Sequence, residues 1–318
     1  MSQEKLWVEY APSEWNGKRI VLLAGDEEYR SEEALPQLAK ILSQRHRFRC
    51  TVLFSINAKG EIDPDVQTNQ PGLHLLSQAD LVVMALRFRR WPDEQMRHFD
   101  EYLTSGKPIL ALRTSTHAFD FKEGTYEKYG WQSKTWPGGF GKHVLGETWV
   151  SHWGIHGKQA TRGIPAPQEE INPLLNGVEG VFGTTDVYEV QLPSDAHVVM
   201  YGEVVEGMSR NDLAATGKKR TAKGVEQDLN NPMMPIAWTR QYGKTKTFTC
   251  TMGAATDLTN EGLRRLLTNA CYWLLELKVP SLADVELVGE YSPSPFGFGT
   301  YKKGVKPSEL SLLPASGR

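Results

Sequence analysis

Two stretches of the sequence concentrate side chains able to do chemistry. The first is Arg113-Thr114-Ser115-Thr116-His117, directly after an apolar run. A histidine there can serve as general acid or base near neutral pH, or as a metal ligand. Arg113 can clamp an anionic or polyhydroxyl ligand, or pair with an acid such as Asp26, Glu27 or Glu28. The second stretch carries His143, Glu147, His152 and His156, three of the chain's eight histidines. His152 and His156 are four apart, so on a helix they would share one face as paired metal ligands do. Gly154 between them weakens the helix, and a loop presenting both to a sugar is the alternative. The zincin pattern is absent, because no Glu follows the first histidine. Trp131, Trp136, Trp149 and Trp153 lie in the same region, and flat indoles suit stacking on sugar rings, although many of the nine tryptophans must be core.

Nucleophile chemistry finds less support. A Gly-x-Ser-x-Gly or Gly-x-Cys-x-Gly elbow is absent. Ser115 sits where such a nucleophile would, but without the flanking glycines. The three cysteines, Cys50, Cys250 and Cys271, are sparse, distant and set in apolar segments. They read as buried thiols, with neither a disulfide framework nor zinc-knuckle spacing.

The elements that must position these residues follow an alternating rhythm. Arg19 to Ala24 reads as a buried parallel strand running into Gly25. Leu35, Leu38, Ala39 and Leu42 mark one helix face, with Pro36 expected in its first turn and loop before it. Cys50–Phe54, Ala79–Leu86 and Pro108–Leu112 are further strands, and a helix from Pro92 to Gly106 presents Met96, Phe99, Tyr102 and Leu103. Later strands are expected at Asp186–Val190, His197–Val205, Met234–Tyr242 and Thr245–Thr251. A polar, mobile segment is expected over 211–231, and an amphipathic helix follows Gly253. The pattern implies an α/β, doubly wound, mostly parallel sheet with a long loop-rich insertion over about 120–173 and an extended C-terminal tail after Val279. In such sheets ligands bind beyond the carboxyl ends of the strands. That rule selects Gly25–Arg30, Arg87–Trp91, Arg113–Phe119 and Met252–Asp257, where Asp257 can instead cap the last helix.

Composition narrows the class. The chain has 318 residues, 40% hydrophobic and 23% charged, with a net charge of −2, so it lacks the basic field of a nucleic-acid binder. No run approaches the roughly twenty apolar residues of a membrane span. The N-terminus lacks a signal-peptide pattern, which points to a cytoplasmic protein. The Pro-rich tail and aromatic insertion need a surface to lie against, their own domain or a second copy in a homodimer.

Gly25-Asp26-Glu27-Glu28-Tyr29-Arg30-Ser31-Glu32-Glu33-Ala34-Leu35-Pro36, Arg113-Thr114-Ser115-Thr116-His117-Ala118-Phe119, Met234-Pro235-Ile236-Ala237-Trp238-Thr239 and Thr251-Met252-Gly253-Ala254-Ala255-Thr256-Asp257 occur in that order. Together they make the chain resemble the ThuA-like (trehalose-utilisation) family from about residue 18 to 302. The resemblance implies a flavodoxin-like sheet of the glutamine-amidotransferase type without its catalytic cysteine. It implies a single domain over 1–318, with a core at about 18–278, and a role in sugar metabolism beside enzymes that make keto-sugars. Some members carry a bound metal. This chain has His152-Trp153-Gly154 where relatives often pair histidines before a glycine, and Asn172-Pro173-Leu174 where they often have His-Pro-Ile.

The expectation drawn from residues and resemblance together is acid/base chemistry on a carbohydrate, a keto-sugar foremost. His117, Arg113, Glu28, Glu147 and Asp257 are the expected catalytic set. Tyr29, Thr116, Trp149, Trp153 and Arg87 are expected to bind substrate, and His152 and His156 to hold a divalent metal such as zinc if one is used. No nucleotide cofactor is expected. The alternative is a non-catalytic sugar-binding or assembly protein on a degenerate amidotransferase-like fold.

Overall fold

The computed structural model describes residues 5–167 and 172–312. Its strands are β1 (Trp7–Tyr10), β2 (Arg19–Gly25), β3 (Arg49–Phe54), β4 (Leu81–Leu86), β5 (Ile109–Leu112), β6 (Thr161–Pro165), β7 (Phe182–Gly183), β8 (His197–Val204), β9 (Lys218–Arg220), β10 (Glu226–Asp228), β11 (Met234–Tyr242) and β12 (Thr245–Cys250). Its three α-helices are α1 (Ser31–Gln44), α2 (Asp93–Thr104) and α3 (Glu261–Leu274).

Ten strands join one sheet in the order β1-β3-β2-β4-β5-β12-β11-β8-β6-β7. The middle of it, β3-β2-β4-β5-β12, is parallel. Counted along the chain, those five strands run 2-1-3-4-5, the flavodoxin order. Both faces of this centre are covered, as its near-continuous apolar strands require. On β2, Ile20, Leu22 and Ala24 pack with α1 and α3, while Val21 and Leu23 face α2. The remaining strands are antiparallel: β1 edges β3, and β11, β8, β6 and β7 extend the sheet beyond β12. The insertion supplies β6 to this wing and packs Tyr129, Phe140, Val144 and Leu145 with Phe119 of the β5 loop beside α2. No helix among the described residues is long and apolar enough to cross a membrane.

Three local expectations are corrected. Helix α1 starts at Ser31, so Pro36 lies inside it and Glu32 and Glu33 are helical, while Asp26–Glu28 stay in the loop. Arg30 adopts a left-handed φ of 59°, and its carbonyl accepts from the Glu33 and Ala34 amides. Glu32 and Glu33 then stand in the first turn, where the helix dipole favours carboxylates. Residues 186–190 form no ladder strand. They run beside 151–154, with the Val187 carbonyl accepting from the Trp153 and Gly154 amides. The segment 211–231 contains a hairpin, β9 with β10, rather than only irregular chain.

The tail lies along its own domain. Ala283 and Val285 pack on Ile41, and the Tyr10 hydroxyl donates to the Leu310 carbonyl.

Candidate active site

The parallel strands β2, β4, β5 and β12 all discharge their carboxyl-end loops at one place. Each loop makes a tight exit. Of the five non-glycine residues with positive φ among the described residues, Arg30, Phe88 and Arg113 lie in these loops. A bulky residue held there costs on the order of 1–3 kcal/mol, and such strain clusters at functional sites. Asp26 organises the first loop: its carboxylate accepts from the Glu28 and Tyr29 amides at 2.7 and 3.0 Å and from the Thr114 hydroxyl of the β5 loop. Glu27 binds Arg87 and Arg89 at 2.6 and 2.7 Å, locking the β2 and β4 loops together.

Arg113 pairs with none of those acids. Its guanidinium, 1% exposed, donates to the Asp186 carboxylate at 2.8 Å, to the Asp186 and Thr251 carbonyls at 2.7 and 2.9 Å, and to the Tyr29 hydroxyl at 3.1 Å. It is sandwiched by the rings of Tyr29 and Tyr188, 4.4 and 3.9 Å from their centroids. Asp186 is the hub. Besides Arg113, it accepts from His152 Nδ1 at 2.8 Å and His156 Nδ1 at 3.1 Å. Burial pushes this carboxyl's pKa up, but Arg113 and the two histidines outweigh it and hold it well below the usual carboxylate range.

His152 and His156 come together although they are not on a helix; their rings lie 4.7 Å apart across a bend. His156 Nε2 is 3.3 Å from Glu28, so both its nitrogens face carboxylates. Its pKa is raised, first by the hydrogen bond to Asp186, which favours the imidazolium. Glu28 is raised too, by burial and by Asp26. His117 behaves oppositely: burial, Arg87, Arg113 and His152 push its pKa well below normal, so it stays neutral.

A closed ring of contacts surrounds this hub. His156 meets Phe296 (5.5 Å between centroids), His152 meets Trp149 (5.8 Å), Trp149 meets His117 (5.8 Å) and His117 meets Phe88 (5.0 Å). The Arg87 guanidinium lies over Phe88 at 4.5 Å and Phe298 at 5.0 Å, and the chain from Phe298 back to Phe296 closes the circuit. Solvent reaches the two histidines, whose side chains remain 37% and 34% exposed.

Of the residues expected from sequence, the structure brings together Arg113, His117, Glu28, Tyr29, Arg87, Trp149, His152 and His156. Thr116 is buried beside His117, with its hydroxyl 3.2 Å from Nδ1. Three others are held elsewhere. Glu147 is occupied by Lys142 and the amides of Thr148 and Gln191. Trp153 is buried with its indole N–H on the Leu229 carbonyl. Asp257 is fully buried and accepts from Thr185 and from the Gly253 and Ala254 amides. Ser115 is buried as well, donating to the Met84 carbonyl at 2.9 Å. Sequence reasoning missed Asp186, Tyr188, Phe88, Phe296 and Phe298. Asp186 carried a usable signal, an acid opening an apolar segment after a glycine strand, but it read as the start of a strand.

Two histidine nitrogens and an Asp186 oxygen lie within 4.8 Å of one another, a donor set that fits a divalent cation. Arg113, already on the same carboxylate, opposes a second positive charge there.

The trehalose-utilisation (ThuA) family model matches residues 19–274. A ThuA-like protein from Parabacteroides merdae has a similar structure, with 15% identity, a TM-score of 0.53, and coverage of 83% of this chain and 92% of that one. Another, from Bacteroides uniformis, shares 13% identity over 83% of this chain and 92% of its own, with a TM-score of 0.49. No curated protein matches. The family description indicates a role in sugar metabolism, and the extent of the match settles membership: this chain belongs to the ThuA family.

Proposed function

We propose that the chain is an enzyme acting on a carbohydrate, a keto-sugar foremost, by proton transfer next to the carbonyl. One observation carries this reading: Asp186 holds His152, His156 and Arg113 at once. With Nδ1–H donated to a carboxylate, His152 keeps its tautomer fixed and offers Nε2 as a base, the orientation such catalysis needs. The His156 imidazolium, held between Asp186 and Glu28, sets positive charge beside the oxygen of the developing enolate. The proton taken by His152 is given back from the same nitrogen, and Glu28 holds the charge on His156. His117, neutral and buried within the ring, supports Trp149 and does not compete for protons. Isomerisation and elimination share this first step, and hydration runs the same proton transfer in reverse.

The test is hydrogen exchange. A keto derivative of trehalose in D2O is followed by NMR with wild-type protein and His152→Ala. The protein is expected to accelerate deuteration beside the carbonyl, and the variant to lose about 10²–10⁴-fold of that rate. Exchange untouched by His152→Ala removes this assignment. Binding of the sugar with no exchange by the wild type favours the non-catalytic reading.

The donor set around Asp186 supports a metal-assisted variant of the same reading. His152, His156 and Asp186 would hold a divalent ion, which supplies Lewis-acid polarisation of a sugar oxygen when bound.

A further inference from the structure

Helix α1 turns one face, Glu33, Pro36, Gln37 and Lys40, towards the C-terminal tail, and a cavity of about 210 Å3 lies between them. The tail residues that close it, between Glu290 and Leu310, lie beyond the match to the family model. The cavity shares no residue with the Asp186 hub or the aromatic ring around it. Pro36, Ile62, Tyr291, Val305 and Leu310 give it apolar walls.

Several polar atoms of the lining residues have no hydrogen bond. Among the described residues, both carboxylate oxygens of Glu32, Oε1 of Glu33 and Nε2 of Gln37 are buried without a partner. Glu32 is only 9% exposed and Gln37 2%. The nearest counter-ions leave these oxygens unbonded: Arg30 Nε stands 3.5 Å from Glu32, and Lys302 Nζ 3.8 Å from Glu33. The other Glu33 oxygen accepts from the Ser294 amide at 2.7 Å. Leaving a buried carboxylate unbonded is costly. Burial accordingly pushes the Glu32 pKa up to about 7, against the pull of Arg30.

Three of the four unbonded atoms are acceptors, so the partner they call for is a donor. An ammonium group has three N–H donors and no acceptor, and its charge complements the carboxylates. The apolar walls suit an aliphatic stem behind it. These acids are not a metal set: among the described residues, the group of ligand side chains that comes within 4.8 Å is His152, His156 and Asp186. We propose that the cavity binds a primary aliphatic amine, with its ammonium on Glu32 and Glu33 and its stem along Pro36, Ile62 and Val305. The ligand then lies beneath the tail segment that Ser294 and Gly297 fasten to Glu33 and Glu28, and that goes on to Phe296 at the candidate site.

Calorimetric titrations in an amine-free buffer test this with n-butylammonium, ammonium ion and n-butanol, on wild-type protein, Glu32→Gln and Lys302→Met. Wild-type protein is expected to bind n-butylammonium at least about tenfold more tightly than either ammonium, which lacks the stem, or butanol, which lacks the charge. Glu32→Gln should weaken n-butylammonium about tenfold, with a thermal melt to check that the variant folds. Lys302→Met changes a side chain that is 61% exposed and removes the ammonium nearest Glu33, so it should tighten binding severalfold. Absence of n-butylammonium binding by the wild type overturns the site. Equal affinity for butanol or for ammonium, or Lys302→Met affinity no tighter than wild type, overturns it too. The carbohydrate reading of the Asp186 hub is independent of every outcome.

Discussion

Replacing Asp186 with asparagine keeps the shape of the hub and removes its charge. Arg113 then stays buried without a counter-ion, because Tyr29, Tyr188 and the Thr251 carbonyl are neutral. Breaking a buried pair from one side costs about 3–5 kcal/mol. Arg113 keeps two backbone carbonyls and two aromatic faces, so the lower end, about 3 kcal/mol, is expected. For 318 residues, an unfolding entropy of about 2.1 cal/mol/K per residue gives about 0.7 kcal/mol per kelvin, hence a Tm drop of about 4–5 °C. The assay is thermal unfolding of wild type, Asp186→Asn, Arg113→Met and the double variant. The double variant should be more stable than the sum of the singles predicts, by about 1–3 kcal/mol, because no charge is then stranded. A Tm within about 1 °C of wild type for Asp186→Asn, or strict additivity, refutes the hub as the organiser of the site.

Stability should also depend on pH through two histidines of opposite sign. His156 has a raised native pKa, so its contribution is complete below about 6.5 and is lost as pH rises through the native value. His117 has a depressed native pKa, so its contribution is complete above about 6.5 and is lost as pH falls towards the native value. Urea titrations across that range should therefore show His156→Gln flattening the alkaline limb and His117→Phe the acid limb, and unchanged limbs contradict the assignments. Gly141→Ala should destabilise the insertion strongly, since a Cβ there would meet the Thr116 carbonyl oxygen at 1.8 Å; the cost is about 1–3 kcal/mol or more, and a wild-type Tm would show that the contact yields. Ser115 should resist a serine-directed covalent probe in the native state, because its hydroxyl is buried between Met84 and Leu86; stoichiometric labelling by mass spectrometry would revive a hydrolase. Elemental analysis of purified protein, and of His152→Ala with His156→Ala, should show a divalent ion that departs with the histidines if the metal-assisted variant holds.

The parallel centre was legible because its strands are short, apolar on both faces and punctuated by Gly and Pro, so strand existence and order of α and β elements follow from local pattern. The convergence of the candidate loops followed with it, since Arg113, His117, Glu28 and Arg87 are placed by strand ends alone. Where local pattern misled, a long-range partner decided. The run 186–190 has strand-like composition, but it pairs with the bend at 151–154 and so delivers Asp186 to two histidines. His152 and His156 meet across that bend and not along a helix.

By itself, then, the chain's amino-acid order determined an α/β sheet, the family, and the loops that meet at the candidate site. Only the tertiary structure decided which polar groups are spent on holding the fold and which face one another. Glu147 and Asp257 look like catalytic acids in one dimension, yet each is occupied by hydrogen-bond donors of its own surroundings. Asp186 and the tail phenylalanines looked ordinary, yet packing sets them around His152 and His156. Periodicity reports which face of an element is buried; the pairing of ionisable groups depends on contacts between segments far apart in the chain, which no local pattern encodes.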